Sequence, residues 1–178
     1  LNQRKKTGGK EHPDYARSLN NTAVIYSYKG NSNKSLKLNL IALEIREKKL
    51  GKDHPDYATS LCNTALDYYY LGKCHKFLEL NLESLEILEK TLGKEHPDYA
   101  FVLNNTAVSY SCLGEDDKSL ETNLKALNIR EKTLGKEHPD YATSLNNIGV
   151  DYLSLGLYKK ALETNLKELQ IIEGTLGK

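Results

Sequence analysis

Four histidines, His12, His54, His96 and His138, stand at equal intervals along the chain, and each opens the same phrase, His-Pro-Asp-Tyr-Ala. Imidazole is a common metal ligand, but a metal draws its ligands to within about 2 Å of one ion. One histidine per repeat spreads the four along the chain, so a role at helix starts or in linkers is expected, and no metal. Glu47, Glu89, Glu131 and Glu173 share one register in the same way and read as solvated helix surface. No nucleophile–base pair or carboxylate pair stands outside the repeat pattern, so no catalytic residue is expected and the chain is not expected to be an enzyme. The run Thr7-Gly8-Gly9-Lys10-Glu11 and the Leu-Gly-Lys phrases lack the Gly-x-x-x-x-Gly-Lys-Ser/Thr spacing of a P-loop, and no cofactor is expected. The sequons at Asn20-Asn21-Thr22 and Asn104-Asn105-Thr106 fall inside predicted helices, where glycosylation is not expected.

Charge narrows the partners. The 178 residues carry 25 basic and 24 acidic side chains, a net charge of +1. Binding to nucleic acid or an anionic membrane calls for a basic excess that neutralises phosphates, so neither partner is expected. No apolar run approaches the ~20 residues of a membrane span. Cys62, Cys74 and Cys112 are odd in number and unpatterned, which does not read as a disulfide framework and points to an intracellular, cytoplasmic location. The chain has no methionine, and residues 1–11 resemble residues 127–137, the tail of a later repeat. A piece of a longer array is therefore expected.

The 42-residue spacing divides the chain into a tail of a preceding repeat, 1–11, then repeats 12–53, 54–95, 96–137 and 138–178, expected to form one continuous array. Within each, a helix should start at proline, which fits the first helical position because its missing N–H would be unpaired there. The following Asp favours the positive end of the helix dipole. Tyr15, Leu19, Ala23 and Tyr26 form one helical face, repeated down to Tyr141, Leu145, Gly149 and Tyr152. Gly30, Gly72, Gly114 and Gly156 should close these helices, predicted at 13–29, 55–71, 97–113 and 139–155. Second helices are predicted at 33–49, 75–91, 117–133 and 159–175, with Leu36, Leu40, Leu43 and Leu50 and their equivalents as the apolar stripe. Gly51, Gly93, Gly135 and Gly177 should end them. Nothing alternates with a strand's period. An all-α, right-handed α-solenoid of helix-turn-helix units is expected, with every second helix lining a concave face.

Leu19, Ala23, Tyr26, Gly30, Leu36, Ala42 and Leu43 match the order and spacing of a tetratricopeptide repeat, and the 42-residue form, seen over 141–178, resembles the repeats of kinesin light chains and nephrocystin-3-type proteins. The resemblance spans essentially the whole chain. Two departures stand out. Asn39, Asn81, Asn123 and Asn165 occupy a position the family usually gives to a large aromatic, and are expected to form ladders between repeats. Phe77 replaces a small residue.

The resemblance implies a protein–protein interaction scaffold holding a peptide segment or partner helix in the concave groove, an adaptor of the kinesin light chain type. Carried over position by position, it puts Asn21, Asn63, Asn105 and Asn147 in the groove, where a carboxamide donates and accepts to a peptide backbone. Beside them it places Asn20, Asn104 and Asn146, with Arg17, Phe101, Leu66 and Tyr69 in the wall. The alternatives are a regulatory or sensor array of a larger signalling NTPase, or a structural spacer with no ligand of its own.

Overall fold

The computed structural model describes residues 9–176, and the chain separates into two compact units, Leu1–Ile87 and Leu88–Lys178. The expected tail of a preceding repeat lies largely outside the described residues, as do Gly177 and the Leu176 side chain. Among the described residues there are eight α-helices and no strand. They are α1 (Pro13–Tyr28), α2 (Ser32–Leu50), α3 (Pro55–Tyr70), α4 (Cys74–Thr91), α5 (Pro97–Cys112), α6 (Asp116–Leu134), α7 (Pro139–Ser154) and α8 (Tyr158–Leu176). The chain is an all-α helical repeat array, and its helix bounds lie within one residue of those predicted. None of these helices is long and apolar enough to cross a membrane.

The His-Pro-Asp phrase works as a helix start. Each histidine is the N-cap, its Nδ1 accepting the Asp N–H two residues on at 3.0 to 3.2 Å. That satisfies one of the amide donors a helix N-terminus leaves open. The first helices close on a left-handed glycine. At α1 the Asn31 N–H donates to Tyr26 O at 2.9 Å and the Gly30 N–H to Ser27 O at 2.8 Å, with Gly30 at φ 72°. This paired closure recurs at α3, α5 and α7.

The second helices depart from the expected leucine stripe. Leu40, Leu82 and Leu124 are exposed, and Leu36 and Leu43 only half-buried. In the first unit α2 packs against both α1 and α3, and its innermost line is Ser35, Asn39, Ala42 and Arg46, the first three one position before Leu36, Leu40 and Leu43. A helix held between two neighbours buries the line between its flanks, and here that line is polar. Burial is tolerable because the groups bond one another. Asn39 accepts from Asn20 Nδ2 at 2.8 Å and donates to Asp67 Oδ2 at 2.6 Å, which agrees with its reading as a ladder residue. Ser60 Oγ donates to Asn20 Oδ1 at 3.3 Å, while Arg46 Nη1 donates to Ser60 Oγ at 2.8 Å and to Asp56 O at 2.7 Å.

The second unit carries the same seam, two repeats further along the chain. Asn104 Nδ2 donates to Asn123 Oδ1 at 2.7 Å, and Asn123 Nδ2 to Asp151 Oδ2 at 2.7 Å. Ser144 Oγ donates to Asn104 Oδ1 at 3.1 Å, and Arg130 Nη1 reaches Asp140 O and Ser144 Oγ at 2.7 and 2.8 Å. The intervening register is apolar by comparison. Phe77 stands for Ser35, Leu88 for Arg46 and Val102 for Ser60, and all three are buried. Phe77 is fully buried with its ring 5.2 Å from that of Tyr69, so the large residue fills the place of a small one.

At the far end α8 packs on α7 and leaves Leu162, Leu166 and Leu169 exposed. Gly149 stands where Ala23, Ala65 and Ala107 stand in the other first helices, and a Cβ there would collide with Asn165 Oδ1. The glycine thus makes room for the Asn165 amide. Cys62 is buried with its Sγ 3.2 Å from Ser84 Oγ. Cys74 and Cys112 are both disulfide-bonded, contrary to the cysteine reading above, which therefore no longer speaks for a cytoplasmic location.

Two outcomes follow from the seam. Arg46→Leu strips the Asp56 carbonyl and Ser60 hydroxyl of a buried donor and should cost about 1–3 kcal/mol. Arg46→Leu with Ser60→Val, the residue types at the equivalent positions Leu88 and Val102, should cost at least about 1 kcal/mol less than the sum of the single changes. Urea unfolding at constant m-value measures this, and additive costs would refute the coupling. The second outcome concerns pH. Burial pushes the Asp67 and Asp151 carboxyls above the ordinary carboxylate value of 3.8, against the opposing bonds from serine and asparagine. Between that value and the raised one, the folded state keeps a proton the unfolded chain has released, so stability falls as pH rises. Compared with Asp151→Asn, the wild-type protein should lose stability through this window and show a constant difference above it. A series of urea titrations across acid pH tests the sign, which a rising difference would contradict.

Candidate partner-binding face

The predicted groove residues sort by what the seam requires. Asn20 and Asn104 are buried on α1 and α5, and both ends of their amides are engaged in it. They hold helices together and are not open to a partner. Asn146, in the same register on α7, is exposed and donates to Glu168 Oε2 on α8 at 3.2 Å. Arg17 is exposed, its Nη2 3.0 Å from Asp14 Oδ1.

The other asparagine column stands on the adjoining face. In the first unit α1 and α3 touch, bringing Asn21, which is exposed, and Asn63 and Leu66, which are half-buried, onto the first-helix face. The Asn63 backbone carbonyl accepts from Asn39 Nδ2 at 3.3 Å, so this face is tied directly to the seam. Tyr69 lies about one turn beyond Leu66, its ring fixed between Phe77 at 5.2 Å and Tyr70 at 5.5 Å. In the second unit Asn105 and Asn147 are half-buried on α5 and α7, and Phe101 is exposed one turn before Asn105. The Asn105 Nδ2 donor is buried with no acceptor among the described residues. An unmet buried donor is costly.

One concavity of about 390 Å³ opens on the first unit's face, between α1, α2 and α3. Its floor is the seam, with Ser35, Asn39 and Asp67. Val24, Ser27, Asn63 and Leu66 form its sides. Its rim carries Tyr28, 89% exposed, and Tyr70, 61% exposed. Of the sequence-derived candidates, this pocket gathers Asn63 and Leu66. Asp67, Tyr28 and Tyr70 were missed, although Tyr28 and Tyr70 hold one register in successive repeats, and Asp67 and Asp151 each follow a ladder asparagine at the same interval.

Residues 78–132 and 109–173 match a family model of the tetratricopeptide repeat, and residues 16–56 match a second model of the same repeat. No curated protein matches the chain. BtubC (BKLC) of P. vanneervenii is 24% identical and superposes with a TM-score of 0.82 over 98% of this chain and 70% of its own, which shows likeness of fold. A candidate kinesin light chain of Podosopora anserina, built of nearly identical TPR-like repeats, is 26% identical with a TM-score of 0.77, covering 97% of this chain and 82% of that one. Helix pairs that recur once per repeat, and family models matched from residue 78 to 173 as well as from 16 to 56, place the chain in the tetratricopeptide repeat family.

Proposed function

We propose that this protein is a binding scaffold whose first-helix face holds an extended segment or a helix of a partner protein, in the manner of an adaptor. The single observation that carries this reading is the pocket at Asn63 and Leu66 on the first unit's face. Its walls combine apolar side chains with convergent amide, hydroxyl and carboxylate groups, the make-up of a recognition site. Family membership supports it, since tetratricopeptide repeats generally mediate protein–protein interaction and are typically non-catalytic. The likeness to a candidate kinesin light chain supports the adaptor form. Asn63 and Asn105 serve as the backbone clamps, offering both a donor and an acceptor to a peptide bond.

A displayed peptide library selected on the wild-type protein, then titrated against Asn63→Ala and Asn105→Ala, tests this. Selected peptides should bind at least one variant about tenfold more weakly, the equivalent of ~1.4 kcal/mol. Thermal melts should be unchanged for Asn63→Ala, whose side chain takes no part in the seam. Equal affinity for wild type and both variants would remove the asparagines from the site, and failure to select any peptide would sink the scaffold reading.

A further inference from the structure

The pocket on the first unit has a chemical character that the general scaffold reading does not specify. Asp67 is the one formally charged side chain among its lining residues, and it is 2% exposed. Its carboxylate takes hydrogen bonds from the Asn39 amide and the Ser35 hydroxyl. Both partners are neutral, so the ionised carboxylate keeps its full negative charge in a poorly solvated place. A buried charge is costly unless it is paired with an opposite one. No cationic side chain lines the pocket among the described residues, so Asp67 in its ionised form gives it a negative floor.

Two aromatic rings stand above that floor. Tyr28 and Tyr70 occupy the same register in successive repeats, at the C-terminal ends of α1 and α3, and both are more than half exposed. A tyrosine with no core to fill leaves its ring free to meet an incoming group. Beside a carboxylate, ring faces attract cations through their quadrupole, and their apolar bodies pack against the methylene stem of a long basic side chain.

The second unit supplies a comparison inside the same chain. Asp151 is as buried as Asp67 and is bonded by Asn123 and by Ser119 Oγ at 2.7 and 2.6 Å. There the register equivalents of Tyr28 and Tyr70 are Cys112 and Ser154. The aspartate is thus part of the seam in both units, whereas the aromatic rim belongs to the first alone. Tyr70 also meets the Tyr69 ring at 5.5 Å, but the seam itself needs neither tyrosine, since its second copy dispenses with both.

We propose that the pocket between α1, α2 and α3 receives a lysine or arginine side chain of the partner, its cationic head directed at Asp67 and its stem lying against Tyr28 and Tyr70. The volume of about 390 Å³ accommodates one long side chain and the backbone around it. The proposal rests on the first-helix face being the partner-binding face and adds to it the chemical class of the residue recognised there. Val24 and Leu66 line the stem, and Asn63 is placed to hold the partner's backbone beside it.

The test uses acetylated, amidated Gly-Ser peptides with one central residue, arginine, lysine, norleucine or glutamate. Each is titrated into the whole protein while the ring signals of Tyr28 and Tyr70 are followed by NMR. Arginine and lysine peptides should move both ring signals. The norleucine peptide should bind at least tenfold more weakly, and the glutamate peptide should leave the rings unmoved. Tyr28→Ser with Tyr70→Ser, its fold checked by a thermal melt because Tyr70 meets the Tyr69 ring, should weaken the arginine peptide at least fivefold. Asp67→Asn should abolish the preference for arginine over norleucine, and Asp151→Asn should leave it intact. Equal affinity for arginine and norleucine, or an undiminished affinity in the double tyrosine variant, overturns the proposal. Ring shifts with norleucine or glutamate but not with the basic peptides would overturn it too, while leaving the scaffold reading standing. Silence from every peptide at these rings overturns the proposal as well. The scaffold reading falls with it if the library selection also returns nothing.

Discussion

The architecture turns on one requirement, that a buried carboxamide find partners for both its donor and its acceptor. Asn39 and Asn123 are almost wholly shielded from water. Each sits on a second helix between two first helices, and each uses its oxygen toward the preceding one and its amide toward the following one. An aromatic at this place would fill volume without specifying register. A carboxamide bonded on both sides is satisfied in one relative position of three helices, because a one-turn slip leaves two buried groups unpaired. Apolar packing then operates within an alignment already set. The cost is a carboxylate in the interior, and the neighbouring serine hydroxyl reduces that cost without removing it.

Much of the fold was legible because its boundaries depend on local chemistry. Pro13, Asp14 and Gly30 act through backbone φ, the helix dipole and a left-handed closure, and these act through neighbours in sequence. The buried face of the second helices was not legible in the same way. The leucines at 36, 40 and 43 form the more hydrophobic stripe, yet the inward line is 35, 39, 42 and 46. Hydrophobic periodicity ranks positions by side-chain type, while burial here is set by two flanking helices whose hydrogen bonds admit serine, asparagine and arginine. Pairings 28 and 40 residues apart, such as Asn39 with Asp67 and Ser60 with Asn20, have no local signal.

The candidate site divides along the same line. Asn63 and Leu66 could be placed because they follow from the helical register of a repeated face. Asn20 and Asn104 could not be told from them by type, since an asparagine one position along the helix turns about 100° away. That single step separates an amide facing the neighbouring helix from one facing outward. Tyr28 and Tyr70 differ again: they hold one register in the first two repeats only, and their meaning depends on the carboxylate that α3 brings to the same pocket.

A two-repeat period underlies the single-repeat one. Ser35, Arg46, Ser60 and Asp67 return at Ser119, Arg130, Ser144 and Asp151, while Phe77, Leu88 and Val102 hold the intervening register. A strictly uniform array would place the same groups at every step and offer a partner the same surface throughout. Alternating residue types at these positions gives the seams of the two units a setting that the intervening register does not repeat, and changes at exposed positions can then act on one seam alone. Tyr28 and Tyr70 are such a change. They sit where the seam makes no demand, so residues that hold the helices together and residues on the exposed face vary independently. That independence is what lets one repeat framework carry an aromatic-rimmed pocket on one pair of helices and leave its structural counterpart elsewhere in the chain without such a rim.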